Sequence, residues 1–213
     1  MTPAEQSAEA RRICALAPVV PVLVIEDLAH AEPLARAMVA GGLPALEVTL
    51  RTPVALDAIR AMAAVEGGQV GAGTLLTSAD VKAAKAAGAT FGVSPGATPA
   101  LIAACEDEGL PLLAGVATAT EVMTLLEAGY TAMKFFPAEN VGGAAALKAL
   151  YGPLPQAAFC PTGGVSLKNA RDYLSLPNVI CVGGSWVAPR AEMAAGNWSA
   201  VEALAREAAA LRG

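Results

Sequence analysis

The chain has a single histidine, His30, among 213 residues. One imidazole cannot build a histidine-rich metal site, nor a Ser-His-Asp triad. Its four cysteines, Cys14, Cys105, Cys160 and Cys181, are scattered and form no CxxC pair, so they read as reduced core residues rather than disulfides or zinc ligands. No cluster of lysine or arginine occurs, and net charge is -5 with a pI near 4.9. Nothing could neutralise a row of phosphates, which argues against nucleic acid as a partner. No window reaches the roughly 18 uninterrupted apolar residues of a membrane span; the longest candidate, 15–25, carries Pro18 and Pro21. The first residues lack the basic start and apolar stretch of a signal peptide, so the sequence predicts a cytoplasmic protein off the membrane.

What remains is apolar: 55% hydrophobic and only 15% charged, much of it alanine. That composition predicts one sizeable core, with some outer surface covered by other subunits. Short apolar runs recur between alanine-rich helical stretches. They place strands at 19–25, 45–51, 69–74, 90–94, 112–116, 132–136, 158–162 and 179–183. Successive starts are 26, 24, 21, 22, 20, 26 and 21 residues apart, the period of a repeated βα unit. Glycines close several of the helices, as in Ala40-Gly41-Gly42 and Ala87-Gly88. A doubly wound open sheet would carry a glycine-rich turn after its first strand, and Glu26-Asp27-Leu28 stands there instead. The expectation is an α/β protein, a (β/α)8 TIM barrel in one domain over 1–213. A short N-terminal helix and lead-in occupy 1–18, the barrel 19–190 and a C-terminal helix 191–213.

Strand alternation then sorts the polar residues. In the second strand Leu46, Val48 and Leu50 suit the helix-covered outer wall, which turns Glu47 and Arg51 inward, with Arg51 nearest the C-terminal mouth. In the sixth strand Met133 and Phe135 face out and Lys134 faces in. Val70, Ala72 and Thr74 share a face of the third strand, and Thr74 is expected to reach inward. Active sites of such barrels lie at the C-terminal mouth. A lysine buried there is pushed toward its neutral amine, the form that attacks carbonyl groups to make imines. Thr162-Gly163-Gly164 follows strand seven and Gly183-Gly184-Ser185 strand eight, where barrels of this kind bind phosphate through backbone N–H groups and helix N-termini.

Five segments carry a family resemblance: Glu47-Val48-Thr49-Leu50-Arg51, Gly71-Ala72-Gly73-Thr74, Met133-Lys134-Phe135-Phe136-Pro137-Ala138-Glu139, Pro161-Thr162-Gly163-Gly164-Val165 and Val182-Gly183-Gly184-Ser185. In that order and spacing the chain resembles the 2-keto-3-deoxy-6-phosphogluconate (KDPG) and 4-hydroxy-2-oxoglutarate (KHG) aldolases. The resemblance implies a class I aldolase without a metal, usually trimeric, acting on a small 2-oxo acid phosphate. It makes Lys134 the imine-forming lysine and Glu47 the general acid/base. Arg51 and Thr74 would meet the substrate carboxylate, and Pro95 and Phe136 would line the pocket. Thr162, Gly163, Gly164, Gly184 and Ser185 would hold the distal phosphate. The C4 epimer, 2-keto-3-deoxy-6-phosphogalactonate, stays open as a substrate. So do a phosphate-binding isomerase or epimerase, in which Lys134 acts only as a charge, and a non-catalytic sugar-phosphate sensor.

Overall fold

A computed structural model describes residues 1–211. Helix α1 (Pro3–Cys14) precedes eight βα units. The strands are β1 (Val19–Leu23), β2 (Ala45–Thr49), β3 (Gln69–Gly73), β4 (Phe91–Val93), β5 (Leu112–Val116), β6 (Ala132–Phe135), β7 (Ala158–Pro161) and β8 (Val182–Gly184). Between them run α2 (Ala31–Ala40), α3 (Ala55–Ala63), α4 (Ser78–Ala86), α5 (Pro99–Glu108), α6 (Ala119–Glu127), α7 (Gly143–Tyr151) and α8 (Ala170–Leu174). The chain ends with α9 (Arg190–Ala194) and α10 (Trp198–Ala209). All pairings are parallel, in the order β7-β6-β5-β4-β3-β2-β1-β8. Bridges from Phe159 to Val179 and from Thr162 to Gly183 close the ring. The architecture is the expected (β/α)8 barrel.

Several strands stop a residue or two short of the expected ends, and β8 begins at Val182 rather than at 179. The helix expected over 191–213 is two helices, broken at Gly196 (φ +64°), and residues 212 and 213 lie outside the described residues. Among the described residues no helix is long and apolar enough to cross a membrane.

Two apolar layers follow from the alternation. The outer faces of the strands, with Leu46, Val48, Met133, Phe135 and Phe159, pack against the helices. The inner layer at the bottom of the barrel holds Val20, Ala45, Phe91, Val93, Leu113 and Ala132, with Cys160 and Cys181. Helix α1 plugs this end. Its Ile13 and Cys14 join the inner layer, its Gln6 Oε1 accepts from the Leu112 N–H at 3.1 Å, and its Ser7 Oγ accepts from the Thr131 N–H at 2.8 Å. The four cysteines are free and buried.

The third strand corrects the sequence reading. Val70 and Ala72 belong to the outer layer, and Gly71 and Gly73 face the barrel interior. A Cβ at Gly71 would collide with the Phe91 ring, and one at Gly73 with the Glu47 side chain. Glycine therefore leaves inner space for neighbours on β2 and β4. Thr74 still reaches the mouth, because its backbone turns into the left-handed region (φ +65°) just past the strand. Alternation alone would have sent it outward.

Helix starts on the mouth side are fixed by capping boxes at Thr77 and Thr118. Glu121 accepts from the backbone N–H groups of Ala117 at 2.7 Å and Thr118 at 2.8 Å. The Ala117 N–H above all holds this carboxyl below its ordinary value, burial working the other way. A lowered carboxyl pKa adds stability that is present above the unfolded-state value and is lost as pH falls through the folded one. Glu121→Gln is therefore expected to melt below wild type at pH 7, with the gap closing in acid. Thr118→Ala should cost about 1 kcal/mol in urea titration.

Candidate active site

At the C-terminal mouth lies a cavity of ≈ 360 Å³. Lys134 and Phe136 rise into it from β6, and Thr162 from the end of β7. The Lys134 Nζ lies 3.1 Å from Glu47 Oε1, with the two residues 6% and 3% exposed. Burying such a pair carries a desolvation penalty that the contact repays only in good geometry, and removing one partner costs about 3–5 kcal/mol. Glu47 does not reach the cavity wall; it sits behind Lys134, against Gly73. The Phe136 ring lies beside the amine, its centroid 5.4 Å from Nζ.

On the far side Arg51 and Thr74 line the cavity, and the Arg51 Nε donates to Thr74 Oγ1 at 3.4 Å. The β2–α3 turn that carries Arg51 is tied to the first strand and its extension. Thr49 Oγ1 donates to the Leu23 carbonyl at 3.0 Å, and Thr52 Oγ1 to the Ile25 carbonyl at 2.6 Å. Arg51 is exposed and offers a fork of donors suited to a carboxylate. Pro95 closes another wall, and its carbonyl would collide with any Cβ at Gly115.

The glycine loop after β7 presents free backbone amides at the cavity. Ala138 N–H donates to the Thr162 carbonyl at 2.8 Å and Glu139 N–H to the Gly163 carbonyl at 3.1 Å. The Gly164 carbonyl accepts from Asn169 Nδ2 at 3.2 Å. In a trans peptide the N–H points opposite to its carbonyl. The N–H groups of Gly163, Gly164 and Val165 are therefore turned away from these partners, and none donates to a protein acceptor among the described residues. All these residues line the cavity. Successive free amides in a glycine turn make a concave anion site. Gly163 (φ +99°) and Gly164 (φ +79°) both occupy the left-handed region that this geometry needs. The helix after β7 starts only at Ala170, so it is loop amides rather than a helix end that face this part of the cavity.

Nine of the eleven residues singled out in the sequence line this cavity: Arg51, Thr74, Pro95, Lys134, Phe136, Thr162, Gly163, Gly164 and Ser185. Glu47 lies beneath it, and Gly184 packs on the Trp186 ring while its neighbour Gly183 lines the wall. Gly183 faces inward like Cys181 two positions earlier, and a Cβ there would collide with Thr162 Oγ1. The period-2 pattern carried that signal. Val22, Val24 and Val165 also line the cavity; as aliphatic residues they bear no chemical mark in a sequence. Among the described residues no group of three or more histidine, cysteine or acidic side chains is placed to hold a metal ion.

A barrel with a buried amine–carboxylate pair at its mouth, an arginine on one side and free loop amides on the other has the make-up of an enzyme active site. The family described as KDPG and KHG aldolase matches residues 10–204. A 2-dehydro-3-deoxy-phosphogluconate aldolase of Pseudoalteromonas atlantica is 51% identical over 194 residues, 91% of this chain and 90% of that protein. The KDPG aldolase of Zymomonas mobilis ZM4, solved with 3-phosphoglycerate, superposes with a TM-score of 0.93 at 48% identity, covering 97% of each chain. The KDPG aldolase of Legionella pneumophila, solved with pyruvate captured as a covalent carbinolamine, gives 0.91 at 45% identity over 94% of this chain and 98% of that one. The chain belongs to the KDPG and KHG aldolase family and is a carbon–carbon lyase.

Because Gly73 leaves the space that Glu47 fills, Gly73→Ala overpacks the pair. Its expected cost is roughly 1–3 kcal/mol in denaturant titration, whereas the exposed Gly96→Ala, where a Cβ meets nothing within 4 Å, should change little.

Proposed function

We propose that this chain cleaves KDPG to pyruvate and glyceraldehyde 3-phosphate through an imine on Lys134. The observation that carries the reading is the buried 3.1 Å contact between the Lys134 amine and the Glu47 carboxylate at the floor of the cavity. Arg51, with Thr74, pairs with the substrate carboxylate and so fixes the adjacent C2 carbonyl over Nζ. Pro95 and Phe136 flank the carbon chain. The amides of Gly163, Gly164 and Val165, with the Ser185 side of the mouth, receive the phosphate.

The steps follow from that placement. Lys134 yields a proton to Glu47 and attacks C2. The carbinolamine loses water as Glu47 returns the proton, leaving an iminium ion. Glu47 then accepts the C4 hydroxyl proton through a bridging water, since it stands behind the lysine rather than on the wall. The C3–C4 bond breaks, its electron pair flows into the iminium to give an enamine, and the aldehyde departs with its phosphate. Protonation at C3 and hydrolysis release pyruvate and restore the amine. No step requires a metal. The same site suits KHG, whose second carboxylate would take the place of the phosphate. The names of the relatives favour the phosphogluconate substrate over its phosphogalactonate epimer.

Borohydride with pyruvate should inactivate the enzyme and leave its label on Lys134 in peptide mass mapping; a label on Lys148 or Lys168 would refute the assignment. No inactivation at all would favour the isomerase reading. Glu47→Gln should lower kcat by about 10²–10⁴, and Lys134→Ala should abolish turnover.

We further read the protein as a cytoplasmic homotrimer that works without a metal. Exposed Leu76, Met123 and Leu167 supply apolar surface for a subunit contact, and the free buried cysteines suit a reducing compartment. Sedimentation equilibrium at three times the chain mass and full activity after chelator treatment are the expected results.

A further inference from the structure

The amides that face the anion are aimed by a contact outside the cavity. Glu139, in the short turn Glu139–Val141 after β6, has its carboxylate hydrogen-bonded by the phenol of Tyr173 on α8. In the chain one group precedes the glycine loop and the other follows it. Tyr173 is 1% exposed, and burial together with the neighbouring carboxylate raises its phenol above the ordinary value. It therefore stays protonated and donates throughout the physiological range.

What the contact holds is the backbone of the glycine loop. The Glu139 N–H and that of Ala138 before it hold the Gly163 and Thr162 carbonyls. The Glu139 side chain lies directly under Gly164, where a Cβ would fall 2.5 Å from its Cγ. Gly143 closes the same corner, its Cα bare toward the Tyr173 hydroxyl and the Glu139 carboxylate, 3.3 and 3.4 Å from where a Cβ would be. Without the phenol, Glu139 is an exposed residue in a short turn, free to rotate into water. The turn that carries the Glu139 N–H would then be less firmly held, and with it the Gly163 carbonyl and the Gly164 N–H on the other side of that peptide plane.

We infer that Tyr173, acting through Glu139, is a positioning residue for the anion-binding amides, and so a determinant of preference for phosphorylated substrates. The inference rests on the phosphate reading above. Neither side chain lines the cavity. The Lys134 amine is fixed by Glu47 from β2 across the barrel, so its chemistry should not depend on this contact.

The test uses purified wild type, Tyr173→Phe and Glu139→Gln, with three readouts: KM and kcat for KDPG, the inhibition constant of inorganic phosphate, and the pyruvate concentration giving half-maximal borohydride inactivation. Tyr173→Phe keeps the packed ring and removes only the hydroxyl. It should raise KM for KDPG and the phosphate inhibition constant roughly three- to tenfold, while kcat and the pyruvate value stay at wild type. Glu139→Gln retains an acceptor for the phenol and should lie close to wild type on every readout. A merely structural role would move the pyruvate value as well. Unchanged phosphate readouts, or equal changes with pyruvate and KDPG, overturn the inference and leave the phosphate reading standing. A wild type that phosphate does not inhibit and that gains nothing from the phosphate of KDPG over unphosphorylated 2-keto-3-deoxygluconate overturns both.

Discussion

The site depends on one ion pair placed where ion pairs are costly. Lys134 and Glu47 come from β6 and β2, strands on different sides of the barrel, and meet in its interior. Water cannot solvate either group well there, so each fixes the other, and the rotamer freedom of a long lysine is spent before any ligand arrives. Around this pair the inner wall is cut to shape. Gly73 gives Glu47 its room, Gly115 lets the Pro95 carbonyl approach, and Gly183 clears space for Thr162. Each glycine stands on the strand next to the one that carries the residue it serves. The mouth is thus specified as much by missing side chains as by present ones.

Much of this was legible in the sequence because period-2 patterning gives a strong signal when one face must be apolar. In β2 and β6 the bulky outer residues left no choice but to turn Glu47 and Lys134 inward. The same rule failed on β3, where glycines alternate with small apolar residues and neither face is marked. There Gly71 and Gly73 face in, and Thr74 reaches the cavity only through a left-handed backbone turn that no pattern of hydrophobicity announces. On the eighth strand the alternation separates the two glycines once Cys181 sets the register, with Gly183 on the wall and Gly184 under Trp186. Two adjacent glycines look alike until the register is known.

Contacts between loops were beyond reach. Which amides of Thr162-Gly163-Gly164-Val165 stay free is decided by donors from Ala138, Glu139 and Asn169, which approach from either side in space. The Glu139–Tyr173 contact joins residues 34 apart that share no motif spacing. Their meeting follows from the pairing of β6 with β7, which brings the C-terminal loops of these parallel neighbours side by side. Local sequence shows that both loops end at the mouth; only the three-dimensional structure shows that they touch.

The free amides of Gly163, Gly164 and Val165 have a consequence for how the mouth responds to its surroundings. Amide groups of the main chain do not titrate, and a side-chain replacement cannot delete them. Attraction for an anion at that end should therefore track the ligand's own ionisation, while the proton transfers of the proposed mechanism belong to the opposite end, at Lys134 and Glu47. Grip and chemistry are in this way assigned to different parts of the polypeptide: one to its backbone, the other to its side chains.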